Sequence, residues 1–313
     1  MGGRLVFAAG FLLLGQGIHA QEVALAPRPR AAVPAPPAHA TLRVDTNVVL
    51  VPVTVCDPMN RPVTGLSKEH FRVFDDNIEQ VVTDFSMDDE PVAVGLVFDI
   101  SGSMAPRMRV AREAASAFFK TANDNDEFFL VEFNDKPKLV APLTPDLREI
   151  ENQLAFAQAR GRTALLDAIV LAMHEMKKSQ KGRKALLVIS DGGDNSSRYT
   201  SGELRNLVRE SDVLIYAIGI HSGGNSPEEA AGPGLLREIT EDTGGRHFAA
   251  ETDELPDIAA KIGLELRNRY VLAFSPTNKQ RDGRYHPVRV KLVPPRGLPP
   301  LSASWRRGYY APE

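Results

Sequence analysis

The stretch Val92–Met104, VAVGLVFDISGSM, joins an apolar strand to a polar turn. Its first seven residues are almost all apolar, which is typical of a strand buried on both faces of a parallel sheet. The apolar run ends at Asp99, and Ser101 and Ser103 follow before a helix-like segment over residues 105–122. Ligands of open α/β sheets bind at the carboxyl ends of the strands, and clustered hard oxygens suit a small divalent cation such as Mg²⁺. The alternative is that Asp99 caps the helix and the serines only form a tight turn.

Strands and helices alternate throughout residues 91–267. Further apolar runs occur at Glu127–Phe133 (EFFLVEF), Lys184–Ser190 (KALLVIS) and Val213–Ile220 (VLIYAIGI), and helix-forming segments separate them. Strands that alternate with helices of this length form doubly wound sheets. We therefore predict an α/β fold in which a doubly wound, mostly parallel sheet is flanked by helices, as in Rossmann-like proteins.

Two β-rich segments flank this α/β unit, at residues 41–90 and 268–313. Both contain runs in which apolar and polar residues alternate, as in LRVDTNVVLVPVTVCD near the start and HPVRVKLV near the end. Neither segment is long enough to enclose its own core, since a β-sandwich typically takes about 100 residues. We therefore predict that the two segments pair into one small β-sandwich, and that the α/β unit is inserted between them.

The first 40 residues have the composition of an export signal and a linker. Residues 1–20 combine one arginine, an apolar block and the sequence His19-Ala20 before Gln21, as in a secretory signal peptide. Residues 21–40 are rich in proline and alanine without any periodicity, which is typical of a semi-extended linker. We expect an exported protein of the periplasm, the cell surface or the extracellular space, with no membrane span in the mature chain.

The overall composition argues against several classes of site. The chain of 313 residues carries a net charge of -3, which gives no basic surface for nucleic acid. A single cysteine, Cys56, excludes an intrachain disulfide and a cysteine-based metal cage. Because Cys56 lies in an alternating, valine-rich strand, we expect a buried structural thiol. Composition leaves the oligomeric state open.

Polar oxygens also follow two later parts of the α/β unit. Thr163 lies in the loop sequence Gly-Arg-Thr, and Asp191 comes directly after the strand KALLVIS. Because the carboxyl ends of central parallel strands meet at one sheet edge, both residues can converge with Asp99, Ser101 and Ser103. The five oxygens would leave one position of an octahedral cation open to water or to an external ligand, such as a carboxylate of a partner protein.

These residues resemble the von Willebrand factor A (VWA) domain and its metal-ion-dependent adhesion site. The pattern of that site is D-x-S-x-S in the first loop, a threonine in the second and an aspartate in the third. The resemblance covers residues 91–267 and implies that a divalent cation is bound by Asp99, Ser101, Ser103, Thr163 and Asp191. The whole chain also looks like exported bacterial VWA-related proteins of unassigned function.

Other polar residues give weaker signals. Asp194 and Asn195 are candidates for an accessory cation site, and the alternative is a turn that holds helix-capping residues. His174-Glu175 lies on a predicted helix, but Lys178 occupies the place where a zinc protease motif needs a second histidine. We therefore interpret His174 as a structural residue.

Three functions are compatible with this sequence. The first is a non-enzymatic module for adhesion or assembly, which uses bound Mg²⁺ or Mn²⁺ to bind an acidic residue of a partner protein. The second is a metal-dependent hydrolase, for which Asp194 is the available base. The third is a structural subunit of a cell-envelope complex. The first is favoured because the motif offers no group that would activate a nucleophile.

Overall fold

The computed structural model describes residues 48–87, 90–220 and 227–312. The predicted signal peptide and the predicted linker lie outside the described residues. Within the described ranges the chain forms these strands and helices in order: β1 Val49–Cys56, β2 Phe71–Asp75, β3 Ile78–Gln80, β4 Val82–Met87, β5 Val92–Asp99, α1 Met108–Phe119, β6 Glu127–Phe133, β7 Pro137–Thr144, α2 Leu147–Phe156, α3 Leu165–Met176, β8 Arg183–Ser190, α4 Ser201–Arg209, β9 Val213–Ile220, α5 Pro227–Thr243, β10 His247–Ala250, α6 Leu255–Arg267, β11 Tyr270–Phe274, β12 Tyr285–Leu292, β13 Ser302–Trp305 and β14 Gly308–Tyr310.

The centre of the α/β portion is a six-stranded sheet in the order β10-β9-β8-β5-β6-β7. Neighbouring strands run parallel except at the edge, where β7 is antiparallel to β6. Every residue of β5 and β9 is buried, as expected for strands covered by helices on both faces. The predicted α/β fold with a mostly parallel sheet is confirmed.

The N- and C-terminal β segments pair with each other in two four-stranded sheets. One has the order β13-β1-β11-β4 and the other the order β14-β12-β2-β3, so each sheet takes strands from both ends of the chain. Apolar side chains from both sheets share one core, with Val53, Val73 and Leu272 fully buried in it. Burial of this kind stabilises the packing of sheet on sheet. The segment boundaries given above stay predictions.

The polar turn after β5 is tighter than the sequence predicts. A helix is expected from residue 105, but Gly102–Arg107 forms a 3-10 turn and α1 begins only at Met108. Pro106 lies within that turn, and its ring disfavours the α-helical conformation of the preceding residue, so the regular α-helix begins only after it. The side chain of Met104, which belongs to this turn, is fully buried and packs the turn against the core.

The single cysteine joins the two portions of the chain. Cys56 at the end of β1 is buried, and its thiol lies 3.4 Å from both the Glu265 carboxylate of α6 and the Arg246 guanidinium. Burial raises the pKa of this thiol to about 12. The thiol is therefore protonated and unreactive at neutral pH, as the sequence predicts.

Among the described residues, no helix is both long and apolar enough to cross a membrane.

Candidate functional site

Asp99 lies at the carboxyl end of β5 and is completely buried. Its Oδ1 accepts a hydrogen bond from the Ser101 backbone N–H at 2.8 Å, and its Oδ2 accepts one from the Ser190 hydroxyl at 2.6 Å. Burial, with a smaller contribution from the nearby Asp191 carboxylate, raises the pKa of the Asp99 carboxyl to about 7, although these hydrogen bonds lower it. A positive charge placed nearby would stabilise the ionised form of this carboxyl.

The first loop places two hydroxyls next to Asp99. Ser101 is buried, Ser103 is exposed, and their Oγ atoms lie 3.1 Å apart. The backbone N–H of Gly102 donates to the carbonyl of Gly161 at 3.0 Å, which joins the first loop to the second.

The second loop holds Thr163, which is 5% exposed. Its backbone N–H donates to Oδ1 of Asn195 at 3.0 Å, and its carbonyl accepts from the N–H groups of Asn195 and Ser196. Gly161 has a φ of +83°, and a Cβ there would lie 2.3 Å from the Asp135 carboxylate. The turn before Thr163 therefore requires glycine.

The third loop presents Asp191 directly after β8. Ser190, which donates to Asp99, accepts the N–H of Gly192 at 2.9 Å and so supports this loop as well. Asp191 is 6% exposed, and its buried Oδ2 has no hydrogen-bond partner among the described residues. The Arg107 guanidinium lies 3.8 Å from that oxygen, which is too far for a hydrogen bond.

All five predicted residues thus lie on three loops that are hydrogen-bonded to one another at one edge of the sheet. The set offers two carboxylates and three hydroxyls, which are hard oxygen donors of the kind that Mg²⁺ and Mn²⁺ bind. The Oδ2 of Asp191 fits this interpretation, because among the described residues it has only a long ion pair to Arg107 and no hydrogen bond, and a buried carboxylate oxygen is costly unless a donor or a cation satisfies it.

Two contributors to this site were not predicted. Ser190 bridges the first and third loops, and its position as the last residue of a buried strand is the only sequence signal for it. Arg107 donates to the Ser103 carbonyl at 2.7 Å. Its spacing four residues after Ser103 could have indicated this contact, since that spacing closes one helical turn.

Asp194 has a structural role in the third loop. Its carboxylate accepts hydrogen bonds from the backbone N–H of Leu166, at the start of α3, and from the hydroxyl of Ser197. The geometry favours the helix-capping interpretation of Asp194, although the helix is α3 and not the one that follows. Asn195 instead positions Thr163, as described above.

His174 lies near the C-terminal end of α3, away from the loop that holds Thr163 at the start of that helix. His174 is exposed on α3, and its neighbour Glu175 is buried and pairs with Lys178 at 2.6 Å. This pairing agrees with a structural role for the His174-Glu175 segment.

Comparison with known proteins identifies the fold of the α/β portion. Residues 94–193 match the family profile described as von Willebrand factor type A domain. A solved structure, the von Willebrand factor type A protein from Catenulispora acidiphila, superimposes with a TM-score of 0.50 and 16% sequence identity, over 77% of this chain and 72% of the other. The α/β portion has the VWA fold.

Two curated proteins are also similar in sequence. An uncharacterized protein of Borreliella burgdorferi is 27% identical in an alignment of 201 positions that covers 54% of this chain and 58% of that protein. Inter-alpha-trypsin inhibitor heavy chain H4 of Bos taurus is 29% identical in an alignment of 144 positions that covers 42% of this chain and 15% of that protein. The matches therefore span 58% and 15% of the two curated relatives.

Proposed function

We propose that this chain is an exported, non-catalytic protein-binding module whose VWA portion holds Mg²⁺ or Mn²⁺ and uses it to bind an acidic side chain of a partner protein. The cation ligands are Asp99, Ser101, Ser103, Thr163 and Asp191. The cation would supply an open coordination position for a carboxylate of the partner. The role is adhesion or assembly.

The observation that carries this proposal is the pair of buried carboxylates at the carboxyl ends of β5 and β8. Asp99 has a raised pKa, and Asp191 has a buried oxygen that lacks a hydrogen-bond partner among the described residues. Both features indicate that the surrounding residues only partly compensate the negative charge of these two carboxylates. A divalent cation would neutralise that charge, and the adjacent hydroxyls would add neutral oxygens without further charge.

The ligand inventory also supports an external ligand. Five side-chain oxygens leave one position of an octahedral cation unfilled. Ser103 is exposed, so the site is open to solvent on the side of the first loop. With only two charged ligands, a divalent cation keeps affinity for a further anionic oxygen, and the side chains of aspartate and glutamate provide one.

The contacts of Asp194 weigh against the hydrolase alternative. A general base must accept a proton from the attacking water, but Asp194 already accepts hydrogen bonds from Leu166 and Ser197. Its carboxylate caps α3, and these hydrogen bonds occupy the oxygens that would otherwise accept a proton. Export rests on the sequence of residues 1–20, which resembles a signal peptide.

The test is retention of the full chain on a resin that carries an aspartate-containing peptide, compared with the matched asparagine peptide. We expect Mg²⁺-dependent retention on the aspartate resin alone, with release by a chelator and loss in a folded Asp99→Ala variant. Equal retention on both resins, or retention that survives the chelator, would contradict the proposal. Retention by a folded Asp99→Ala variant would assign the site a structural role in a larger complex.

A further inference from the structure

We propose a second metal site, on the β portion, in which Asp75, Asp76 and His286 bind a borderline divalent metal such as Zn²⁺ or Co²⁺. One potential ligand atom from each residue lies within 4.8 Å of the other two. This site is independent of the cation site on the VWA portion and does not rest on its function.

The fold brings these residues together from distant parts of the chain. Asp75 ends β2, and Asp76 begins the turn into β3. Strand β12 runs antiparallel to β2, with Val288 opposite Asp75, so His286 lies beside the turn. The N–H of Asp76 donates to the Pro287 carbonyl at 3.2 Å, which fixes the turn against β12.

One carboxylate oxygen of this cluster is buried and lacks a hydrogen-bond partner among the described residues, which supports a ligand site here. Asp75 is only 2% exposed, and its Oδ2 accepts the Tyr309 hydroxyl at 3.1 Å. Its Oδ1 is buried without a hydrogen-bond partner in the part of the chain that the structure describes. Such an oxygen is costly in free energy unless it gains a donor or a metal.

The histidine is already oriented by carboxylates. His286 is 7% exposed, its Nδ1 lies 2.7 Å from Oδ2 of Asp76, and its Nε2 lies 3.5 Å from Oδ1 of Asp282. The ring of Tyr309 stacks on the imidazole at 5.5 Å. With Nδ1 on the metal, Asp282 would act on Nε2 as the carboxylate that orients a metal-binding histidine.

The donor set determines the class of metal. One imidazole nitrogen and two carboxylates are ligands of Zn²⁺ and related transition metals, whereas Mg²⁺ prefers oxygen alone. Ligands about 2.0–2.2 Å from a tetrahedral metal lie about 3.4 Å apart, so small side-chain rotations would complete the site. Half-exposed Asp76 leaves the fourth position open to water.

The test is a titration of the full chain with Co²⁺, followed by visible ligand-field absorption, in the Asp99→Ala/Asp191→Ala background that removes the first site. We expect one Co²⁺ per chain, displaced by Zn²⁺. Affinity should fall at least tenfold in Asp76→Asn and be lost in His286→Gln. Asp84→Asn, which changes an exposed carboxylate elsewhere on the β portion, should bind normally.

Absence of ligand-field bands in the parent protein would overturn the proposal and leave Asp76 and His286 as an ordinary ion pair. Unchanged Co²⁺ affinity in Asp76→Asn would overturn it too. Because the Asp76 side chain is exposed, Asp76→Asn should fold and can test the proposal by itself. Circular dichroism would show whether His286→Gln folds. Because the readout is Co²⁺ alone, failure here is distinguishable from failure of Mg²⁺ binding at the other site.

Discussion

The two candidate metal sites share one feature and differ in another. Asp191 on the VWA portion and Asp75 on the β portion each bury a carboxylate oxygen without a hydrogen-bond partner among the described residues. The neighbours of Asp191 are hydroxyls and a second carboxylate, whereas those of Asp75 include the imidazole of His286. The comparison shows that the buried oxygen alone does not separate the two proposed sites. The companion donors do, since oxygens favour Mg²⁺ and an imidazole favours Zn²⁺ or Co²⁺.

Reciprocal variants should give the largest effect. Asp99→Ala/Asp191→Ala removes both charged oxygens of the first site, so Mg²⁺ affinity should fall by at least about 100-fold, which is about 2.7 kcal/mol. Co²⁺ binding at Asp76 and His286 should be unchanged in that variant. Calorimetry with each metal measures both quantities. Loss of both metals in a folded double variant would contradict the independence of the two sites.

Gly192→Ala should weaken the first site through the backbone. Gly192 has a φ of +84°, and a Cβ there would lie 2.9 Å from the backbone of Gly232, so the loop that carries Asp191 must move. The left-handed conformation alone costs an alanine about 1–2 kcal/mol, and we expect Mg²⁺ affinity to fall about tenfold by calorimetry.

Gly65→Ala is the matched control for this substitution. Gly65 has a φ of +80°, but a Cβ there would meet nothing within 4 Å. Gly65→Ala should therefore lower the free energy of unfolding by a similar amount, through the strained left-handed backbone, and leave Mg²⁺ affinity unchanged. Equal Mg²⁺ affinity in the two glycine variants would show that the position of Asp191 does not control the site.

The pH dependence of Mg²⁺ binding should be of intermediate size. Without a cation, burial holds the pKa of Asp99 at about 7. A proton must leave this carboxyl before the cation binds, so affinity should fall up to about tenfold per pH unit below 7 and level off above 7. Calorimetry from pH 5.5 to 8.5 measures this slope, and an affinity independent of pH would contradict the role of Asp99.

Arg107→Gln should have the smallest effect, and of opposite sign. The Arg107 guanidinium lies 3.8 Å from Asp191 and repels a cation bound there. Its removal should strengthen Mg²⁺ binding a few-fold, about 1 kcal/mol, which corresponds to screening close to that of bulk water, since exposed Ser103 opens the site to solvent. The control is Arg109→Gln, since the Arg109 guanidinium pairs with Glu113 on the exposed side of α1. Weaker binding in Arg107→Gln would mean that its hydrogen bond to Ser103 matters more than its charge.

The sequence predicts the α/β portion well because its signals are local. The apolar run before Asp99 identifies a central strand, and a parallel sheet brings the ends of such strands to one edge. Thr163 and Asp191 could be assigned to the same edge for that reason, without knowledge of any contact.

The second site could not be predicted in this way. Asp76 and His286 are 210 positions apart, and they meet only because β2 and β12 pair in one particular register. Strand register between distant segments follows from the packing of the whole sandwich, which no local pattern specifies. The contribution of Ser190 to the first site was missed for a similar reason, because its bond to Asp99 depends on how the first and third loops approach one another.

The most direct test of the account is calorimetric titration with Mg²⁺ at pH 8 in the Asp76→Asn variant, in which the second proposed site has lost an exposed carboxylate ligand. The account predicts one Mg²⁺ per chain, and none after Asp99→Ala/Asp191→Ala is added to a chain that remains folded. Absence of binding in the first protein, or equal binding in both, would contradict the assignment of the cation to Asp99, Ser101, Ser103, Thr163 and Asp191.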